Sequence, residues 1–417
     1  MIYSSMNTPE NQSVDSGSFQ YDVSEVLTRM RRTFAELIAA VPDEIAKSVD
    51  LHRVLRIDRK LSWKIFKVAS SPDPVAAGPH VPSPVSMLTF FKAARKYGVP
   101  EKLIESAARV ASDFEDVVSS HAGDRATFDS MVSSLADDES TEQIDLAHRR
   151  LAFRAQRHLY GVQARTKLKL VIMNPSADGN MIDLAKAEGY ISMRRLRDGA
   201  PVCVSSSVVV DDAGRDHRMD REPIDPVGAS HGMALLQEFC SKPLPPFHAV
   251  STGRNALRGE LANIGLGNRA AITCVEGHII RSAVPRYRDE ANHTAHYLAS
   301  VYTPCEVLLV DLLVREDVYG PLTPYVDVED RRFGTANPIP IVPEMILPLH
   351  SSVTYLGKGP TVLHTADVPR YPELGQYIFD RLNWDGDRFD VYRCRIEFPI
   401  TPSCASLRFD LPEAPSH

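Results

Sequence analysis

Apolar residues recur every three or four positions through the first part of the chain and every two positions through the rest, with the change near residue 165. Val23, Val26, Leu27, Met30, Phe34, Leu37 and Ile38 form one stripe, which predicts a helix ending at about Val41-Pro42. Two short elements follow within residues 51–69. A loop holding Pro72, Pro74, Pro79, Pro82 and Pro84 comes next, where no helix can continue. Met87 to Tyr97 reads as a helix closed by Gly98, and Pro100 opens another that runs to about Ser120. Asp124 is placed to cap RATFDSMVSSLA. In the last long helix, Ile144, Leu151, Ala155, Leu159 and Val162 are expected to line the buried side.

From Lys167 the period shortens. KLKLVIM, YISMRRLR, PVCVSSSVVV, AAITCV, EVLLVDLLV and VYRCRIEF read as strands bounded by Gly, Pro or Asp, with helical stretches expected around 231–241 and 289–300. The expected fold is α+β: a polar, disordered tail over 1–21, an all-helical domain over 22–165, then a mixed, mostly antiparallel α+β domain over 166–417. TPCEVLLVDL (303–312) and TPSCASLRFDL (401–411) align with one inserted residue, as two related strands of one sheet or as a coincidence.

The stretch LHRVLRIDRKLSWKIFKVA, residues 51–69, is the most informative. Leu51, Val54 and Leu55 can pack a short first helix inward, Ile57 plugs a turn, and Asp58 is a fitting N-cap for a second helix. Leu61, Ile65 and Val68 then make a buried stripe, with Lys60, Lys64 and Lys67 one residue earlier forming a basic ridge. Over residues 47–69, seven Lys and Arg face two Asp, in a chain whose net charge is −7. A like-charged ridge is relieved when phosphates screen it. An ordinary helical hairpin with a solvated basic face is the alternative.

The segment resembles the helix-turn-helix of bacterial transcriptional regulators. It departs from that pattern at His52, where a small residue is usual, at Arg56, where glycine is favoured, and at Ser62, where an aliphatic residue is usual. The resemblance implies double-stranded DNA as partner. Arg53, Arg56, Arg59, Lys60, Lys64 and Lys67 are then the candidates for phosphate or guanine contact, with Ser62 or Trp63 near a base edge. Specific binding by one such helix buries little surface, so a homodimer on paired half-sites is expected.

Elsewhere the chemistry is thin, and no metal or cofactor is expected. The six cysteines are scattered without a CxxC spacing, which suits reduced thiols. The N-terminus lacks the basic start and apolar run of a signal peptide, and VLLVDLLV is too short to span a bilayer, so a cytoplasmic protein is expected. GASHG (228–232) imitates a nucleophile elbow without the strand before it, and GLGNRA (265–270) a dinucleotide loop without a βαβ unit. HTAH places His293 and His296 one helical turn apart without a third metal ligand, and DGDRFD (385–390) lacks the full calcium-loop pattern. In SMRRLRDG, Arg195 and Arg197 would share one strand face and could hold a small anionic effector. The expected function is sequence-specific DNA binding in transcriptional control, with the C-terminal domain sensing or oligomerising. The alternatives are an enzyme with its active site in that domain, or an assembly protein using the basic helix for a protein partner.

Overall fold

The computed structural model describes residues 16–133, 139–208, 221–228, 233–244, 246–252, 256–262, 265–290, 293–331, 345–347, 349 and 351–414. The chain divides into two compact units, Met1–Ile144 and Asp145–His417.

The first unit is helical: α1 (Ser16–Ala39), α2 (Ser48–Leu55), α3 (Arg59–Ser70), α4 (Pro84–Lys96), α5 (Glu101–His121) and α6 (Arg125–Ser133). The stripe read from the sequence is its core, with Val23, Met30 and Phe34 wholly buried. Phe34 meets Phe90 of α4 edge-on, and Phe114 of α5 meets Phe128 of α6 in the same way. Helix ends fall where the residue chemistry sets them. Gly98 adopts φ +82° after α4, and the Asp124 carboxylate accepts from Thr127 N at 2.9 Å at the start of α6. The expected tail is too long, because α1 begins at Ser16 and buries Phe19 against Phe128 and His121.

Helix α7 (Glu139–Tyr160) runs through the division between the units, which therefore lies some twenty residues before the expected one. Its buried face also differs from the expected one. Leu151 and Leu159 are exposed, whereas Phe153 is buried against Phe398, with Arg149 donating to Glu397 O and Gln156 to Thr401 O. One aromatic ring and two polar anchors outweigh the leucine spacing.

The second unit contains β1 (Val162–Pro175), β2 (Met181–Arg195), β3 (Val202–Val208), β4 (Glu222–Pro223), β5 (Phe247–Thr252), β6 (Ala256–Leu261), β7 (Ile272–Pro285), β8 (Thr294–Val301), β9 (Cys305–Arg315), β10 (Tyr325–Asp330), β11 (Val353–Lys358), β12 (Phe389–Glu397) and β13 (Ser403–Asp410). The short α8 (Glu316–Tyr319) follows β9, and α9 (Tyr371–Leu382) precedes β12. A seven-stranded sheet runs β11-β12-β9-β1-β2-β7-β4, and two three-stranded sheets run β10-β13-β8 and β3-β6-β5. Among these strands only β1 and β9 pair in parallel, so the fold is α+β with mostly antiparallel sheets. Among the described residues no helix is long and apolar enough to cross a membrane, and VLLVDLLV is strand β9.

One face of the large sheet packs on α9 through Leu168, Leu170, Leu309, Leu313, Ile378 and Phe379. Within this layer Asp311, wholly buried, receives two hydrogen bonds from its cross-strand neighbour Arg393, at 2.8 and 2.7 Å. Arg393 also donates to Leu363 O and lies 5.7 Å over the ring of Tyr371, tying the start of α9 to the sheet. The other face packs on the small sheets through Leu308, Leu312, Val328, Leu407 and Phe409.

Two predicted helices are not helices. Residues 237–239 form a single 3-10 turn, and the segment read as a helix around 289–300 contains β8, whose alternate residues Tyr297, Ala299 and Val301 are buried. Pairing with β13 decided the second case, which no local signal carries. The two aligned TP segments are both strands but lie in different sheets, β9 in the large one and β13 in a small one.

Candidate nucleic-acid interface

Helices α2 and α3 are joined by three residues, Arg56, Ile57 and Asp58. Asp58 caps α3, its carboxylate accepting from Lys60 N at 2.8 Å and Leu61 N at 3.2 Å. Leu51, Leu55, Ile57, Leu61, Ile65 and Val68 are buried as the spacing predicts. The three departures from the regulator pattern are accommodated. Arg56 takes the left-handed conformation (φ 51°, ψ 38°) that favours glycine. His52 Nδ1 lies 2.6 Å from Ile57 O, bracing the turn. Ser62 is wholly buried, and its hydroxyl donates to Asp58 O at 2.9 Å.

Ser62 is therefore no base-contacting residue. A helix position one turn after the cap faces inward, and its hydroxyl is spent on the backbone. Trp63 lies outward, 47% exposed, with its ring 5.1 Å from that of His80 in an edge arrangement. Arg59 and Lys60 are exposed at the first turn of α3, and Arg56 is exposed at the bend. Arg53 is exposed on α2 and paired with Asp50 at 3.0 Å. Lys64 and Lys67 are half-buried. The 3-10 turn Gly78–His80, packed on α3, brings the His80 imidazole to that flank, and Arg125 of α6 brings a further cation.

Arg125 is held by Asp129 at 2.8 Å and donates to Gly78 O and Val81 O, which fixes the turn bearing His80 against α6. Burial, then the charges of Arg125 and Lys60, lowers the Lys64 ammonium below its ordinary value. Burial, then Lys67 and Lys64, lowers the His80 imidazole. The surface therefore has two zones: an exposed leading end of Arg59, Lys60 and Trp63, and a crowded flank where the cations Lys64, Lys67 and Arg125 surround the neutral imidazole of His80. His80 and Arg125 lie far from α3 in sequence, so no spacing argument places them there.

The pairing proposed for Arg195 and Arg197 does not form. β2 ends at Arg195, so Arg197 lies in the following turn, where its guanidinium donates to Leu159 O at 2.6 Å. With the strand ended, the period-2 geometry that would align the two no longer holds. The other motifs carry no site. GLGNRA contains a 3-10 turn (Asn268–Ala270), and DGDRFD a 3-10 turn (Gly386–Arg388) leading into β12. His293 precedes β8 and His296 lies in it, so no helical turn relates them. Ser230 and His231 of GASHG lie outside the described residues, among which no group of three potential metal ligands occurs.

Comparison with protein families, with curated proteins and with solved structures finds no match to this chain.

Proposed function

We propose that the first unit binds double-stranded DNA sequence-specifically, as a transcriptional regulator, with α3 presented to the major groove. One observation carries this reading: a short helix, a three-residue bend with a left-handed Arg56, and a capped second helix whose leading residues Arg59, Lys60 and Trp63 face outward. In helix-turn-helix recognition the leading residues of the second helix reach base edges while surrounding cations hold phosphates. Arg59 and Lys60 suit guanine edges, and Lys64, Lys67 and Arg56 suit phosphate oxygens. The protein acts as a homodimer on paired half-sites, which supplies the buried area one helix lacks. The second unit serves sensing or oligomerisation.

Selection of bound sequences from random duplex DNA tests this, repeated with Arg59→Ala/Lys60→Ala and with Lys64→Ala/Lys67→Ala. An enriched motif is expected, and the first pair should relax its base preference at fixed positions. The second pair should weaken all sequences alike and lower the salt slope by about 2. No enrichment at low salt, or a motif indifferent to both pairs, overturns the reading.

A further inference from the structure

The face of the large sheet that is apolar over β9 and β12 turns charged over β1, β2 and β7. Cross-strand register sets three successive rows on this face: Lys167, Tyr190 and Cys274; Lys169, Glu188 and Glu276; then Val171, Lys186 and His278. Lys167, Tyr190, Cys274 and His278 are buried on these rows, while Lys169, Glu188, Lys186 and Glu276 are half-buried, and charge enclosed to that degree is costly unless paired.

Part of this lattice is internally satisfied. Glu188 sits 2.9 Å from Lys169 Nζ and 3.6 Å from Lys167 Nζ. Although burial opposes ionisation, these two ammoniums hold its carboxyl far below the usual range. Lys167, itself buried, lies 4.5 Å over the Tyr190 ring.

The remainder lacks protein partners. Among the described residues, the Lys186 ammonium, the buried His278 ring and the Glu276 carboxyl have no hydrogen-bond or ion-pair partner. Burial, with repulsion from Lys169, brings Lys186 down to about 8, and burial with Arg221 brings His278 to about 3. Burial, then the neighbouring Glu188 charge, lifts Glu276 to about 7. Near neutrality, Lys167, Lys169, Lys186 and Arg221 thus face one full carboxylate and one half-protonated acid. Among the described residues the surplus is about two positive charges, which a dianion would balance.

We propose that this face of β1, β2 and β7 binds a small phosphate monoester, with Lys186 and His278 donating to the phosphoryl oxygens beside Glu276. The ammonium supplies charge, the neutral imidazole supplies one N–H, and an ionised Glu276 repels the ligand. Affinity therefore falls as pH rises through 7. The groups facing Glu276 are Glu188 on β2, Lys167 and Lys169 on β1, and Arg221 before β4. The site is independent of α3, and its test contains no DNA.

Calorimetric titration of the full chain with sulfate, whose charge is constant across the range, and with inorganic phosphate reads the site out. Sulfate should bind about fourfold more tightly at pH 6 than at pH 7.5, following the protonated fraction of Glu276. Glu276→Gln should flatten that dependence, and Lys186→Met should weaken both anions at least tenfold. Without anion, Lys186→Met should melt at or above the parent temperature, because it removes a half-buried cation that is repelled by Lys169 and Arg221. Absence of millimolar binding, affinity indifferent to both variants, or a lower melting temperature for Lys186→Met overturns the proposal.

Discussion

Replacing Arg56 with glycine tests the bend on which the DNA-binding surface depends. Arg56 holds φ 51° and ψ 38°, a conformation that costs a residue with a Cβ about 1–2 kcal/mol. Glycine removes that cost but gives the unfolded chain freedom worth about 0.5–1 kcal/mol. The expected net effect lies between no change and about 1 kcal/mol of stabilisation. If residues 51–69 were one continuous helix, the same glycine would destabilise by about 1 kcal/mol. The two geometries therefore differ in the sign of the outcome. Trp63 and Trp384 are the two tryptophans, one in each unit. In a Trp384→Phe background, fluorescence reports the environment of Trp63 beside His80 alone. Urea unfolding of the full chain in that background, with and without Arg56→Gly, gives the difference. Arg56→Ala keeps the left-handed cost and should leave the midpoint nearly unchanged. A midpoint lowered by the equivalent of about 1 kcal/mol at constant urea slope in the glycine variant would refute the bend.

Asp58→Ala should cost about 1 kcal/mol by freeing the amides of Lys60 and Leu61, visible in the same unfolding assay. In the second unit, Asp311→Ala leaves Arg393 half-enclosed without its carboxylate, and about 3–5 kcal/mol of stability should be lost in the transition followed by Trp384. His278 has a folded value of about 3 against 6.5 for the free side chain, so its neutral ring stabilises the fold fully above pH 6.5. That stability is lost as pH falls from 6.5 towards 3, and His278→Gln should flatten the decline by up to about 5 kcal/mol in pH-dependent urea melts. Glu276, raised to about 7, works in the opposite sense by losing stability as pH rises from 4.5 through 7, so the comparison is made in an unaltered Glu276 background. Cys240 has its thiol lowered by a hydrogen bond with Cys274, whose own thiol is raised. Brief alkylation followed by mass mapping should therefore label Cys240 before Cys274, Cys305, Cys394 and Cys404.

The sequence by itself determined the elements whose signal is local. The α1 stripe, the Asp58 and Asp124 caps, the Gly98 terminus and the α2–bend–α3 unit all rest on residues within a turn or two of each other. Helical period and cap chemistry are short-range forces, so they are legible along the chain. Only the tertiary structure decided what depends on distant partners. β8 is a strand because β13 lies beside it, and α7 buries Phe153 because Phe398 awaits it. His80 and Arg125 join the basic flank of α3 by packing, and Ser62 leaves it by facing inward. The charged rows on β1, β2 and β7 show the same division. Alternating Lys167 and Lys169, Lys186 and Glu188, and Glu276 and His278 are visible in sequence as polar residues in otherwise apolar strands. Their convergence requires a register fixed over about a hundred residues by a sheet that buries one face of every strand at once.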